Sequence, residues 1–101
     1  MKRRQVLFTA TARRHVLRER DWWVTNRENL DAFASDLDRA LDLIAPLPGV
    51  GSRYPRIPGM RRIFLERVAV HVYFTFDGDR VIVRAVWGAR RRRGPRLADE
   101  P

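Results

Sequence analysis

The chain has 101 residues, 45% of them hydrophobic, and no cysteine, so we expect one domain with one core that forms without disulfides. No apolar run approaches the ~18 residues of a membrane span, and the apolar stretch at residues 6–8 is too short for a signal peptide, which predicts a cytoplasmic protein. The net charge of +9 favours a polyanionic partner, although Lys2 is the only lysine among the 21 basic residues, a bias that codon composition can also produce.

The N-terminal half of the chain predicts one strand and two helices. Residues 5–9 are typical of a short strand, and Thr11 is a suitable N-cap for a helix over residues 12–24. The apolar stripe of that helix is expected to hold Val16, Leu17, Trp23 and Val24, together with Ala12 and the stem of Arg20.

A second helix is predicted directly after the first. Residues 25–28, Thr-Asn-Arg-Glu, fit a capping box, and so short a connection makes the two helices an antiparallel hairpin. Pro46 ends the second helix. Its apolar positions recur at spacings of three and four: Leu30, Phe33, Ala34, Leu37, Ala40, Leu41 and Ile44.

The C-terminal half predicts a loop and three strands. A loop rich in proline and glycine over residues 46–59 leads to strands over 61–66, 68–76 and 81–87, the last two joined by a tight Asp77-Gly78-Asp79 turn. Two faces follow from the period of two. The face expected to meet the second helix holds Val68, Val70, Val72, Phe74 and Phe76. The face expected to stay open holds His71, Tyr73 and Arg84. In the last strand, one side is expected to carry Val81, Val83, Ala85 and Trp87, and the other side Ile82, Arg84 and Val86.

The order β-α-α-β-β-β predicts an α+β fold, in which an N-terminal helical hairpin packs on a small antiparallel sheet that the first strand joins. We expect one domain over residues 1–97, followed by a short tail over 98–101.

Few residues are suited to catalysis. The chain has two histidines, no metal site of ordinary spacing, no phosphate-binding glycine loop and no nucleophile elbow, so no cofactor is expected. Arg61, Arg62 and Arg84 could clamp a phosphate while His71 acts as an acid or base. Alternatively, these are ordinary sheet residues with satisfied hydrogen bonds, and the arginine run at residues 90–93 is a solvated tail.

The ordered pattern resembles the RelE/ParE superfamily of bacterial type II toxin–antitoxin toxins over residues 4–97. Three stretches carry the resemblance: DLDRALDLIAPLPGVGSRYP, MRRIFLERVAVHVYFTF and VIVRAVWGARRRRGPRL. In this superfamily RelE-like members cut messenger RNA on the ribosome, whereas ParE-like members poison DNA gyrase by binding. The resemblance also implies a cognate antitoxin, usually acidic, in a toxin–antitoxin hetero-oligomer.

Two departures favour the ParE-like branch. Arg61 or Arg62 matches the arginine of the first meander strand, and Arg84 lies near that of the last. RelE-like toxins usually place a tyrosine or histidine after that strand, whereas this chain has neither after Tyr73, and the lysines before the sheet are also missing. Two alternatives stay open: a ribosome-dependent mRNA endonuclease using Arg61, Arg62, His71 and Arg84, and a non-toxic module that binds nucleic acid or protein.

The resemblance leads us to expect two binding surfaces. The gyrase-binding surface is predicted at the end of the last strand and in the tail, at Trp87, Arg90, Arg91, Arg92 and Arg93. The antitoxin-binding surface is predicted on the first helix, at Arg13, Arg14, Arg18 and Trp22.

Overall fold

A computed structural model describes residues 3–26, 31–91 and 94–95. The elements run β1 (Gln5–Phe8), α1 (Ala10–Asn26), α2 (Ala32–Ile44), a 3₁₀ turn (Pro48–Val50), β2 (Ser52–Arg53), β3 (Arg61–Leu65), β4 (Val70–Phe76) and β5 (Arg80–Gly88). The predicted α+β order is therefore confirmed, with the short β2 as an additional strand inside the predicted loop. No helix in the described part of the chain is long and apolar enough to cross a membrane.

The sheet has five strands in the order β1-β5-β4-β3-β2. Strands β3, β4 and β5 form the predicted antiparallel meander. Strand β1 joins it at the edge of β5, but in parallel, from Gln5 opposite Arg80 to Phe8 opposite Val83, so the whole sheet is mixed. A parallel pair needs a long crossover, which the two helices and the meander supply.

A bulge in β5 changes which side chains face the helices. Tyr73 pairs with Ala85 and Phe74 with Val83, so Arg84 is an extra residue in β5. Val83 before the bulge and Val86 after it both pack in the helix-facing core, whereas Ala85 packs on the opposite face. The prediction that Ala85 and Trp87 share a face with Val83, opposite Val86, is therefore wrong.

The main core lies between the helices and the sheet. Phe33, Leu37 and Ala40 of α2 pack against Val70 and Val72 of β4, as the spacing of apolar residues predicts. Each of the larger side chains, those of Phe33, Leu37, Val70 and Val72, contributes about 1.5–3 kcal/mol when fully buried. The match is not complete, since Ala34 is exposed, Phe76 is 40% exposed and Leu30 lies outside the described residues.

The opposite face of the sheet is covered at its centre, contrary to the prediction. The loop between β2 and β3 folds back over it through a turn in which the Tyr54 N–H donates to the Met60 carbonyl at 2.9 Å. Met60, Tyr73 and Ala85 are buried there, with Tyr54, Ile57 and Trp87 packed against them. Proline and glycine give this loop its tight turns, and its apolar residues make it a cover.

The helix ends differ from their predicted positions. The Thr9 hydroxyl accepts from the Ala12 N–H at 3.0 Å, so Thr9 rather than Thr11 caps α1. Thr25 lies inside α1, so it does not cap α2, and its proposed capping partner Glu28 is outside the described residues.

The predicted apolar stripe of α1 is also wrong in part. Leu17 and Val24 are 51% and 61% exposed, while Ala12, His15 and Glu19 form the buried face. That face lies against β5, and it holds the residues from which the candidate site is built.

Candidate interaction site on α1 and the end of β5

A buried ion pair joins α1 to the segment after β5. Glu19 is 1% exposed. Both of its carboxylate oxygens accept from Arg90, at 2.9 and 3.1 Å, in the bidentate arrangement that a planar guanidinium favours. The same guanidinium lies 4.0 Å from the centroid of the Trp22 ring, which is a cation–π contact. Arg90, predicted to contact the target, thus binds residues of its own chain.

Gly88 makes the space for this ion pair. A Cβ atom at position 88 would lie 2.7 Å from Arg90 Nη1 and 3.1 Å from Glu19 Oε2. Both distances are shorter than a van der Waals contact, so any side chain there would displace the pair. Gly88 also ends β5, so the strand can close directly against α1.

Arg18 of α1 and Arg91 lie against the same tryptophan, Trp87. The Arg18 guanidinium is 5.9 Å from the Trp87 ring centroid and the Arg91 guanidinium is 5.0 Å from it. We call Arg18, Trp87 and Arg91 the Trp87 patch. The structure therefore brings together Arg18 from the predicted antitoxin-binding set and two residues from the predicted target-binding set.

His15 lies beneath this patch and is held neutral. Its Nδ1 accepts from the Val86 N–H at 3.2 Å, and its ring meets the Trp87 ring edge-on with the centroids 5.0 Å apart. Burial lowers the pKa of His15 to about 4, helped by the positive charges of Arg18, Arg14 and Arg91. The uncharged imidazole can thus act as a hydrogen-bond acceptor at neutral pH.

Of the remaining predicted binding residues, some lie on α1 near the Trp87 patch and others fall outside the described residues. Arg14 donates to the Thr11 hydroxyl at 2.9 Å, Arg13 is exposed, and Trp22 packs edge-on against Trp23 with the centroids 5.3 Å apart. Arg92 and Arg93 lie outside the described residues.

Arg61, one of the candidate nuclease residues, has a structural contact. Its guanidinium donates to the Gly49 carbonyl at 3.0 Å and to the Gly51 carbonyl at 3.1 Å. These carbonyls belong to the turn before β2, where hydrogen bonds to a charged donor are worth about 1.5–3 kcal/mol each. Arg61 therefore stabilises this turn.

Arg62 and His71 do come together, beside Tyr73. Arg62 Nη1 donates weakly to the Tyr73 hydroxyl at 3.5 Å, and its guanidinium lies 5.3 Å from the Tyr54 ring. The His71 ring lies 6.1 Å from the Tyr73 ring. Burial lowers the pKa of His71, and the charge of Arg62 lowers it further. Buried Nδ1 of His71 has no hydrogen-bond partner among the described residues.

Arg84, the fourth candidate nuclease residue, lies apart from His71. Its Nε donates to the Thr75 hydroxyl at 3.2 Å. Because His71 pairs with Trp87, three residues further along β5, the two positions are separated by roughly 10 Å along the strand. Of the four candidate nuclease residues, only Arg62 and His71 therefore lie together beside Tyr73. In the described part of the chain, no three histidine or carboxylate side chains are grouped as metal ligands would be.

Three residues of this site were missed by the sequence interpretation: His15, Glu19 and Gly88. A signal for the first two was present. Ala12, His15, Glu19 and Trp22 recur at spacings of three and four, so they share one helix face. A carboxylate on that face, next to a tryptophan and in a strongly basic chain, favours an internal arginine partner.

Comparison with solved structures identifies the fold. A chain from the structure described as the chromosomal ParDE toxin–antitoxin system from P. aeruginosa superposes with a TM-score of 0.68 and 18% sequence identity, over 84% of this chain and 95% of that one. The predicted ParE-like fold is thereby confirmed. No family model matches the chain, and no curated protein sequence matches it significantly.

Proposed function

We propose that the protein is the toxin of a type II toxin–antitoxin pair and that it inhibits DNA gyrase by binding to it. The observation that carries this proposal is the ParE-like fold, shared over 84% of the chain with a component of a ParDE system. Because one fold serves several functions, the proposal also depends on what the site residues do.

Their contacts support binding rather than catalysis. The Arg61 guanidinium donates to carbonyls of the turn before β2, and Arg84 is on the bulge, away from His71. An arginine stays protonated and makes a poor general base, so Arg62 beside His71 would have to rely on the histidine alone. By contrast, the Trp87 patch combines a half-buried aromatic ring with two guanidiniums, the residue types that dominate protein interfaces.

The charge supports an acidic protein partner. The net charge of +9 suits the usually acidic antitoxin that the family resemblance implies, which would form a hetero-oligomer with the toxin. We place antitoxin contacts on α1, where Arg13 and Arg18 are exposed.

An endonuclease acting on ribosome-bound mRNA is the second candidate. It is favoured by one observation, the adjacency of Arg62, Tyr73 and His71. In this mechanism the guanidinium would bind a phosphate and the histidine, neutral at pH 7, would accept a proton.

Two assays on purified protein separate these functions. A gyrase toxin inhibits supercoiling and leaves mRNA in a translation extract intact, and Trp87→Ala weakens that inhibition about tenfold or more. Under the same proposal Arg62→Ala inhibits supercoiling like the parent. Cleavage of mRNA that Arg62→Ala abolishes, with supercoiling unaffected, would replace the gyrase proposal by the endonuclease. A parent chain that does not slow growth when expressed alone would end both.

A further inference from the structure

Two arginine–tryptophan units lie side by side on α1 and the end of β5. In the first, Arg90 packs on Trp22 and pairs with the buried carboxylate of Glu19. The second is the Trp87 patch. Within residues 3–26 and 31–91, no aspartate or glutamate forms an ion pair with Arg18 or Arg91. The described residues therefore supply a carboxylate to the first unit but not to the second.

Positive charge accumulates at the Trp87 patch. Arg14, Arg18 and Arg91 each lie close enough to His15 to lower its pKa. The pKa of Arg91 is itself lowered, mainly by burial and next by the charge of Arg18. Glu19 acts in the opposite direction on Arg91, but its two oxygens are already bonded to Arg90. An additional carboxylate at this patch would relieve the repulsion between Arg18 and Arg91.

We propose that the Trp87 patch docks an acidic peptide segment of the antitoxin, with a carboxylate bound by Arg18 and Arg91 beside the Trp87 ring. The inference deepens the proposed function and rests on it for the identity of the partner. Because Trp87 and Arg91 also belong to the proposed gyrase-binding set, the docked segment would exclude gyrase. Neutralisation would then be direct competition for one surface.

The chemistry of the patch favours a peptide over a nucleic acid. The neighbouring Glu19–Arg90 unit shows that a carboxylate side chain fits a guanidinium stacked on tryptophan in this part of the fold. The half-buried Trp87 ring also offers apolar surface to the methylene groups of a glutamate. Binding of nucleic acid derives mainly from many spaced phosphate contacts, which a patch of two arginines supplies poorly.

The test is binding of a short synthetic Glu-Ala repeat peptide to the full chain at low salt, followed by fluorescence anisotropy. Arg18→Glu and Arg91→Glu should each weaken binding about tenfold or more, since each replaces an attraction by a repulsion. Arg39→Glu is the matched control. It makes the same charge change at an exposed site on α2, where Arg39 contacts Asp36 at 3.7 Å, and should change the affinity less than about twofold.

The milder variants Arg18→Gln and Arg91→Gln keep the test valid if charge reversal disturbs folding, and each should weaken binding about threefold or more. Equal weakening by Arg39→Glu would show general charge attraction and overturn the inference. So would tighter, patch-dependent binding of a single-stranded oligonucleotide of the same charge. A gain of about tenfold in peptide affinity in Asp99→Asn/Glu100→Gln would identify the chain's own carboxylates as the occupant.

Failure of this inference is distinguishable from failure of the proposed function. If the parent slows growth but its Arg18 and Arg91 variants bind the peptide as tightly as the parent, the Trp87 patch is not the docking surface and the proposed function is unaffected. If the variants lose the peptide but the parent never slows growth, the docking surface stands and the toxin assignment falls. Competition itself is confirmed when the Glu-Ala peptide reduces gyrase inhibition by the parent and an uncharged Gln-Ala peptide of the same length does not.

Discussion

Replacing Arg90 by methionine should destabilise the fold by about 3 kcal/mol. The side chain of Glu19 is 2% exposed and that of Arg90 is 32% exposed. Removing one partner of a buried ion pair costs about 3–5 kcal/mol, because the remaining charge stays buried without compensation. The lower end applies here, since the space that Arg90 leaves would open Glu19 to water. Urea unfolding followed by tryptophan fluorescence measures the change.

Two further variants test the reasoning behind that value. In Glu19→Met/Arg90→Met no charge is left buried, so the double variant should be within about 1 kcal/mol of the parent despite carrying two substitutions. Arg3→Met is the control, because its pair with Asp42 is exposed and worth about 0.5 kcal/mol. If Arg90→Met costs no more than Arg3→Met, or if the double variant is less stable than Arg90→Met alone, the ion pair does not hold this segment as described.

The other predictions concern three residues around the site and the loop. Gly88→Ala should cost about 1–3 kcal/mol in urea unfolding, because its Cβ would overlap Arg90 Nη1; a parent-like value would contradict the close approach. Arg61→Ala should make the turn at residues 49–51 exchange its amide hydrogens about tenfold faster or more, as carbonyls lose a charged donor. Because the folded pKa of His15 is lowered from 6.5 to about 4, stability should fall by up to about 3 kcal/mol as the pH falls from about 6.5 to 4, and His15→Asn should flatten that decline.

Much of the fold could be predicted because its signals are local. The spacing of Phe33, Leu37 and Ile44 identifies both α2 and its buried face, and the structure buries all three. Alternation likewise identifies β4, and the turn at Asp77 is visible from its residue types, with the Asp77 carboxylate accepting from the backbone N–H groups of residues 79 and 80.

The face assignments failed where distant parts of the chain decide them. The bulge at Arg84 depends on how β5 pairs with β4, and it reverses the alternation of Ala85 and Val86 without any glycine to mark it. The cover over Tyr73 comes from a loop whose apolar residues have no period. On α1, hydrophobicity favours Leu17 as a core residue, but the helix turns Glu19 towards β5 instead. Glu19 can be buried there because Arg90 neutralises its charge.

The different contacts of Arg90 and Arg91 could not be predicted from the sequence. In the sequence they are identical neighbours in one arginine run, and residue type alone assigns them the same role. Their difference arises from Glu19, which lies 71 residues before Arg90 and forms an ion pair with it. Arg91 has no such pair with Glu19 and lies against the Trp87 ring. A buried ion pair seldom stabilises a fold more than a well-packed apolar pair would. Its effect here is positional, since a bidentate contact fixes the direction in which the chain leaves β5. The fold therefore uses the charge of Arg90 in an internal ion pair, and the charge of Arg91 is the one that the proposed partner would meet.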